Sequence, residues 1–232
     1  MSTLHFLCAG AAQGLVKALQ DRFIAETGAT LRGHFGAVGA MKEALLASEP
    51  CDLFIVTDAM VNALCADAAL HPEGRAQLGR VRTGIAVRCG GALPDVSSPE
   101  ALSVALLAAD AIYFPDPVRA TAGIHFAKVM QQLGIHGLLQ SRFRTFPNGA
   151  TSMRELAAAR SPQPIGCTQI SEILYSPGVT LVGALPPEFE LSTTYTAAVS
   201  TKAAEPALAR HFIEMLVGAD TAALRVAGGF ET

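Results

Sequence analysis

Four short stretches of this chain share one chemical potential. They are "CAGAAQG" (residues 8–14), "GAVGAM" (36–41), "PVRATAGIHF" (117–126) and "NGATSM" (148–153). Each places small residues between an apolar, strand-like run and a helical pattern. Backbone N–H groups at such a helix start point outward, and together with the helix dipole they attract an anion. The first stretch holds Gly10, Ala11 and Ala12, and the second Ala37, Val38 and Gly39. The third carries Arg119, Thr121 and Ala122, and the fourth Asn148 and Thr151. A single turn of this kind serves tight packing. Four in one chain point to a site for a small anion. Two nucleotide patterns are excluded, because there is no G-x-x-x-x-G-K-[ST] and "GAAQG" does not spell G-x-G-x-x-G.

The elements that must carry these turns alternate along the chain. "LHFLCAG" reads as a strand and "AAQGLVKALQDRFIAETG" as an amphipathic helix closed by Gly28. Leu15, Val16, Leu19, Phe23 and Ile24 recur at helical spacing. "CDLFIVT" is a continuous apolar run of the kind buried in a parallel sheet. "SPEALSVALLAA" reads as a helix with Ser98 as its cap and Pro99 in its first turn. Strand–helix alternation predicts mostly parallel α/β sheets flanked by helices. The pattern further suggests two interleaved lobes, residues 1–82 with 195–232 and residues 83–194, joined by two crossing strands.

Composition narrows the function classes. The chain has 232 residues, half of them hydrophobic and only 16% charged, which suits a compact core. A formal net charge of −3 and no basic cluster argue against a nucleic-acid partner. No apolar run approaches the ~18 residues of a membrane span, so no membrane insertion is expected. The amino terminus lacks a basic residue ahead of its apolar centre and reads as a first strand, which predicts a cytoplasmic protein as the sequence stands; removal of a leader would make it periplasmic. Cys8, Cys51, Cys65, Cys89 and Cys167 have no CxxC spacing, and no metal site, cofactor or disulfide framework is expected.

The order of these elements resembles type II periplasmic solute-binding proteins, in particular the molybdate-binding family. The segments that carry the resemblance are "CAGAAQGLVKALQDRFIAETG", "GHFGAVGAMKEALLASEPCDLFIVTDAMVNAL", "FPDPVRATAGIHFAKVMQQLGI" and "PIGCTQISEIL". The resemblance implies a two-lobe fold that closes on its ligand and, for an exported member, an ABC permease as partner. The molybdate family places hydroxyl residues in its first two loops, where this chain has Ala11–Ala12 and Ala37–Val38–Gly39, and a Tyr where Gln169 stands. That departure favours a carboxylate ligand. The polar set left to meet it is Arg119, Asn148, Thr151, Thr168, Gln169 and Tyr195, with Arg119 as the bidentate partner.

The same resemblance extends to cofactor-free enzymes of the aconitate isomerase kind, which move a double bond within an unsaturated carboxylate. Such a reaction needs a base for one carbon-bound proton. His34, just before "FGAVGA", and Glu172, just after Gln169, are the candidates, and Cys8 and Cys167 also fall at strand ends. Each has a plainer reading beside it. His34 reads as a satisfied structural histidine, Glu172 as a solvated helix-start residue, and Asp58 as the cap of the helix after "IVT".

Overall fold

The computed structural model describes residues 2–231. The chain forms β1 (Thr3–Ala9), α1 (Gln13–Thr27), β2 (Thr30–Gly36), α2 (Val38–Leu46), β3 (Leu53–Thr57), α3 (Asp58–Ala66) and the long β4 (Ala76–Arg88). It continues with α4 (Pro99–Ala108), β5 (Ala111–Pro115), α5 (Thr121–Gln132), α6 (His136–Leu139), β6 (Phe143–Phe146) and α7 (Gly149–Ala157). Then come β7 (Pro164–Gln169), α8 (Ile170–Tyr175), β8 (Val179–Ala184), β9 (Ser192–Val199), α9 (Pro206–Val217) and α10 (Ala222–Ala227). Two compact units divide the chain, one reaching to Val81 and resuming at Thr193, the other spanning Arg82–Ser192. The chain leaves the first unit within β4 and returns to it within β9.

In the first unit the strands run β2-β1-β3-β9, with β1 parallel to β2 and β3, and β9 antiparallel to β3. In the second they run β6-β5-β7-β4-β8, with β5 parallel to β6 and β7, and β4 antiparallel to β7 and β8. The parallel pairs belong to strands linked through helices, as a crossover demands. Most of the antiparallel pairs involve the strands that pass between units, β4 and β9. Both sheets are therefore mixed.

The apolar run of β3 behaves as its sequence requires. Leu53, Phe54, Ile55 and Val56 are wholly buried, each worth about 1.5–3 kcal/mol against exposure. Leu15, Val16, Leu19 and Phe23 form the buried face of α1, and Phe23 meets Phe212 of α9 edge-on at 5.0 Å. Gly28 ends α1 at φ 67°, a conformation that glycine adopts without a Cβ penalty. Asp52, also buried, accepts backbone N–H groups from His5, Ala204 and Glu205 and so ties β1 to the segment before α9. In the second unit Ile85, Leu102, Phe114, Phe126 and Ile165 form the core under α4 and α5. Ala86, Met153, Leu156 and Ile173 form a smaller core on the other face, under α7 and α8. Ser98 caps α4 by accepting from the Ala101 N–H at 3.1 Å, with Pro99 at the first helical position.

Candidate functional site

In the first unit three strand–helix loops leave one edge of the sheet. Ala9 pairs with Gly36 and Cys8 with Ile55, so β1, β2 and β3 end level with one another. After β1, Gly10–Ala12 make a turn of 3-10 helix into α1, and all three residues are buried. After β2, Ala37 is the residue that caps α2. Neither Ala9, Ala12 nor Ala37 makes a capping side-chain bond, because alanine has no acceptor. The third loop is different. Asp58 is the first residue of α3 rather than its cap, which is Thr57, and this corrects the capping role expected for Asp58. Its carboxylate accepts from Thr196 Oγ1 at 2.8 Å and from Asn62 Nδ2 at 2.9 Å. The Thr196 hydroxyl, more than any other neighbour, lowers the Asp58 pKa below the ordinary carboxylate value. His34 lies on the exposed part of β2, with Nε2 3.7 Å from Glu49 Oε2 at the surface.

In the second unit, β5 and β7 are parallel and in register at Tyr113 and Gly166, so their carboxyl ends also lie together. The loop after β5 is folded by Asp116, whose Oδ1 accepts the N–H groups of Val118 at 2.7 Å and Arg119 at 3.1 Å. Arg119 is exposed. Ala120 caps α5 without a side-chain bond, and Thr121 and Ala122 begin the helix. Gly123 passes so close to the carbonyls of Pro115 and Asp116 that a Cβ would collide with both.

The loop after β6 has its donors occupied. Asn148 Oδ1 accepts the Thr151 N–H at 2.8 Å, and the Asn148 carbonyl accepts the Ser152 N–H at 3.1 Å. The Gly149, Ala150 and Gln169 amides face the Glu172 carboxyl and pull its pKa down. Thr168 Oγ1 donates to Glu172 Oε2 at 2.5 Å. Glu172 is thus a buried carboxyl beside the N-terminus of α7, which corrects the reading of it as a solvated helix-start residue. Burial pushes its pKa up, and the Thr168 hydroxyl and the three amides pull it partway back. Thr168 is wholly buried within this knot.

The structure therefore groups the expected residues unevenly. Gly10, Ala11, Ala12, Ala37, Val38 and Gly39 share one edge of the first unit. Asn148, Thr151, Thr168 and Glu172 converge in the second, largely on one another. Gln169 and Tyr195 are buried at 2% exposure each. Burial drives the thiol pKa of Cys8 and Cys167 well above the usual range, so both stay protonated. Sequence reasoning missed the Glu172 knot, although Thr168 and Glu172 stand four residues apart across the start of α8. Among the described residues no group of three His, Cys, Asp or Glu side chains could hold a metal ion, and no helix is long and apolar enough to cross a membrane.

Comparison with known proteins places the chain. The family model of bacterial extracellular solute-binding proteins matches residues 4–231. An aconitate isomerase from a Pseudomonas species is 24% identical over 230 residues, covering 96% of this chain and 85% of the relative. The periplasmic molybdate-binding protein of Azotobacter vinelandii superposes with a TM-score of 0.81 at 18% identity, over 99% of both chains. The sulfate-binding protein SubI of Mycobacterium tuberculosis gives 0.75 at 14% identity, over 99% of this chain and 86% of its own.

Proposed function

The chain belongs to the family of bacterial extracellular solute-binding proteins, and we propose that the solute it binds is a small di- or tricarboxylate. The observation that carries this reading is the chemistry of the loops after β1 and β2. Ala9, Ala12 and Ala37 stand at their helix starts and cap nothing with a side chain, so the loops offer amides rather than hydroxyls. Amide donors suit a carboxylate, whose oxygens take two or three directed bonds. In the second unit, Arg119 offers a forked cation and Gln169 an amide, side chains of the kind that set specificity for a carboxylate. A relative that acts on aconitate is consistent with a carboxylate, and relatives named for molybdate and sulfate make these oxyanions the competing ligands to test. As an exported receptor, the protein would deliver this anion to an ABC permease.

A second reading is favoured by the likeness to aconitate isomerase over nearly the whole chain. Here the same anion site would hold an unsaturated tricarboxylate while a base moves one proton. His34 and Glu172 are its candidates, the first exposed and the second with a raised pKa. One experiment separates the readings. Thermal shift against citrate, cis- and trans-aconitate, succinate, sulfate and molybdate identifies the ligand class by mass action. Proton NMR of protein mixed with cis-aconitate then follows turnover. Stabilisation by carboxylates without turnover supports the receptor, and interconversion of the two aconitates supports the enzyme. Stabilisation by molybdate or sulfate alone overturns the carboxylate assignment.

A further inference from the structure

Thr83, outside every expected ligand residue, stands opposite Gln169 in the antiparallel β4/β7 ladder. Cross-strand partners share a face of the sheet, and the neighbours identify which face. Two residues on, Ile85 and its partner Cys167 pack in the core under α4 and α5. The alternate residues face the other way: Ala86 packs with Met153, Leu156 and Ile173, and a Cβ on Gly84 would meet Ile170 at 2.7 Å. Thr83 and Gln169 therefore lie on the α5 side of the sheet, on the face opposite the Glu172 knot. They lie at the carboxyl end of β7, which is level with that of β5, where the loop with Arg119 and Thr121 begins.

The side chain of Thr83 is sealed in, with the residue only 1% exposed. Its backbone is fully used, since the N–H donates to Leu191 O at 3.1 Å and the carbonyl accepts from Leu185 N at 3.1 Å. Its Oγ1 is buried without a hydrogen-bond partner among the described residues. A buried hydroxyl in that state costs free energy, and most native proteins avoid it. Gln169 stands across the ladder, and the loop that carries Arg119 follows the neighbouring strand end. A threonine hydroxyl can donate to an anionic oxygen.

We propose that Thr83 is a specificity-determining residue of the anion site, donating its hydroxyl to a carboxylate oxygen of the bound acid beside Gln169. The assignment rests on the carboxylate-binding reading above. It is tested with Thr83→Val, which removes the hydroxyl at nearly constant volume, and Thr83→Ser, which keeps it. Calorimetric titration with citrate, trans-aconitate and succinate measures affinity, and the melting temperature without ligand measures stability. Thr83→Val should weaken carboxylate binding about tenfold, the worth of one hydrogen bond to a charged group. Its ligand-free melting temperature should hold or rise, because an unpaired buried hydroxyl has been deleted. Thr83→Ser should bind within about twofold of the parent. Unchanged affinity in Thr83→Val overturns the assignment alone. So does a fall of several degrees in its ligand-free melting temperature that Thr83→Ser restores, since that marks a structural hydroxyl. A parent protein that answers none of the three acids overturns the carboxylate reading itself, and this assignment with it.

Discussion

Two strand–helix turns with the same look in sequence have opposite fates. At the start of α2, "GAVGAM" puts Ala37 in the capping position, and its methyl side chain accepts nothing from the first amides. At the start of α7, "NGATSM" puts Asn148 in that position; Asn148 takes the N–H group of Thr151, and the Gly149 and Ala150 amides face the Glu172 carboxyl. One helix start keeps its dipole available to an outside anion. The other has been given a carboxyl by its own chain. The difference shows that small residues at such a turn are a permission rather than a site. What decides is whether an acceptor elsewhere in the fold reaches the amides first.

The sharpest way to break the comparison is to make Gly149 an alanine. A Cβ there would fall onto the Glu172 carboxylate and the Thr168 hydroxyl. Neither can retreat, since both are buried and bonded to each other. Gly149→Ala should destabilise the protein by about 3 kcal/mol, read as a lower urea midpoint at unchanged slope. At the open turn, Gly39→Ala is the matched control and should cost well under half as much. Equal effects at both turns would show that the knot at α7 does not constrain its helix start.

Removing the internal carboxyl comes next in size. Glu172→Ala leaves the Thr168 hydroxyl without its acceptor and the Gly149, Ala150 and Gln169 amides without the carboxyl they face, for a loss of about 2 kcal/mol. Millimolar formate should restore part of that stability in the variant and none in the parent, because the helix start has become a carboxylate site. The carboxyl also titrates against the usual direction. Its folded pKa lies above the ordinary 4.5, so its contribution is full below pH 4.5 and is lost as pH rises through the folded value. The stability of the parent relative to Glu172→Gln should therefore increase on acidification toward pH 4.5. Asp58 in the first unit runs the other way. Its pKa lies below 3.8, so the parent should lose stability relative to Asp58→Asn as pH falls under that value.

The contrast also explains what could be read from the chain and what could not. Element type follows from local pattern: the unbroken run of β3, the spacing of Leu15 to Phe23 in α1, Ser98–Pro99 at α4 and Gly28 after α1 all act within a few residues. Chain order alone indicates parallel pairing, yet it does not indicate that β4 pairs antiparallel on both sides. The site depends on longer reach. Glu172 closes a turn 23 residues before it by meeting Gly149, and Asp58 is held by Thr196 from β9. Thr83 looks like any strand threonine until the ladder places it opposite Gln169. Residue type announces that a group can accept or donate. Only the three-dimensional partner list says whether that capacity has already been used.

The smallest effect is the most instructive, because it would turn the open turn into a closed one. Ala37 already has the extended backbone of a capping residue, φ −65° and ψ 149°, so serine fits without strain. In Ala37→Ser the new hydroxyl should accept an N–H from the first turn of α2, as Asn148 does for α7, and raise stability by about 1 kcal/mol. The same bond removes an amide from the set offered to a carboxylate. Ligand-free melting temperature should therefore rise while citrate affinity falls. A serine that stabilised α2 and left citrate binding intact would mean that the anion does not use this helix start. A serine that raised molybdate affinity would mean that the missing hydroxyl, rather than the amides, had kept that oxyanion out.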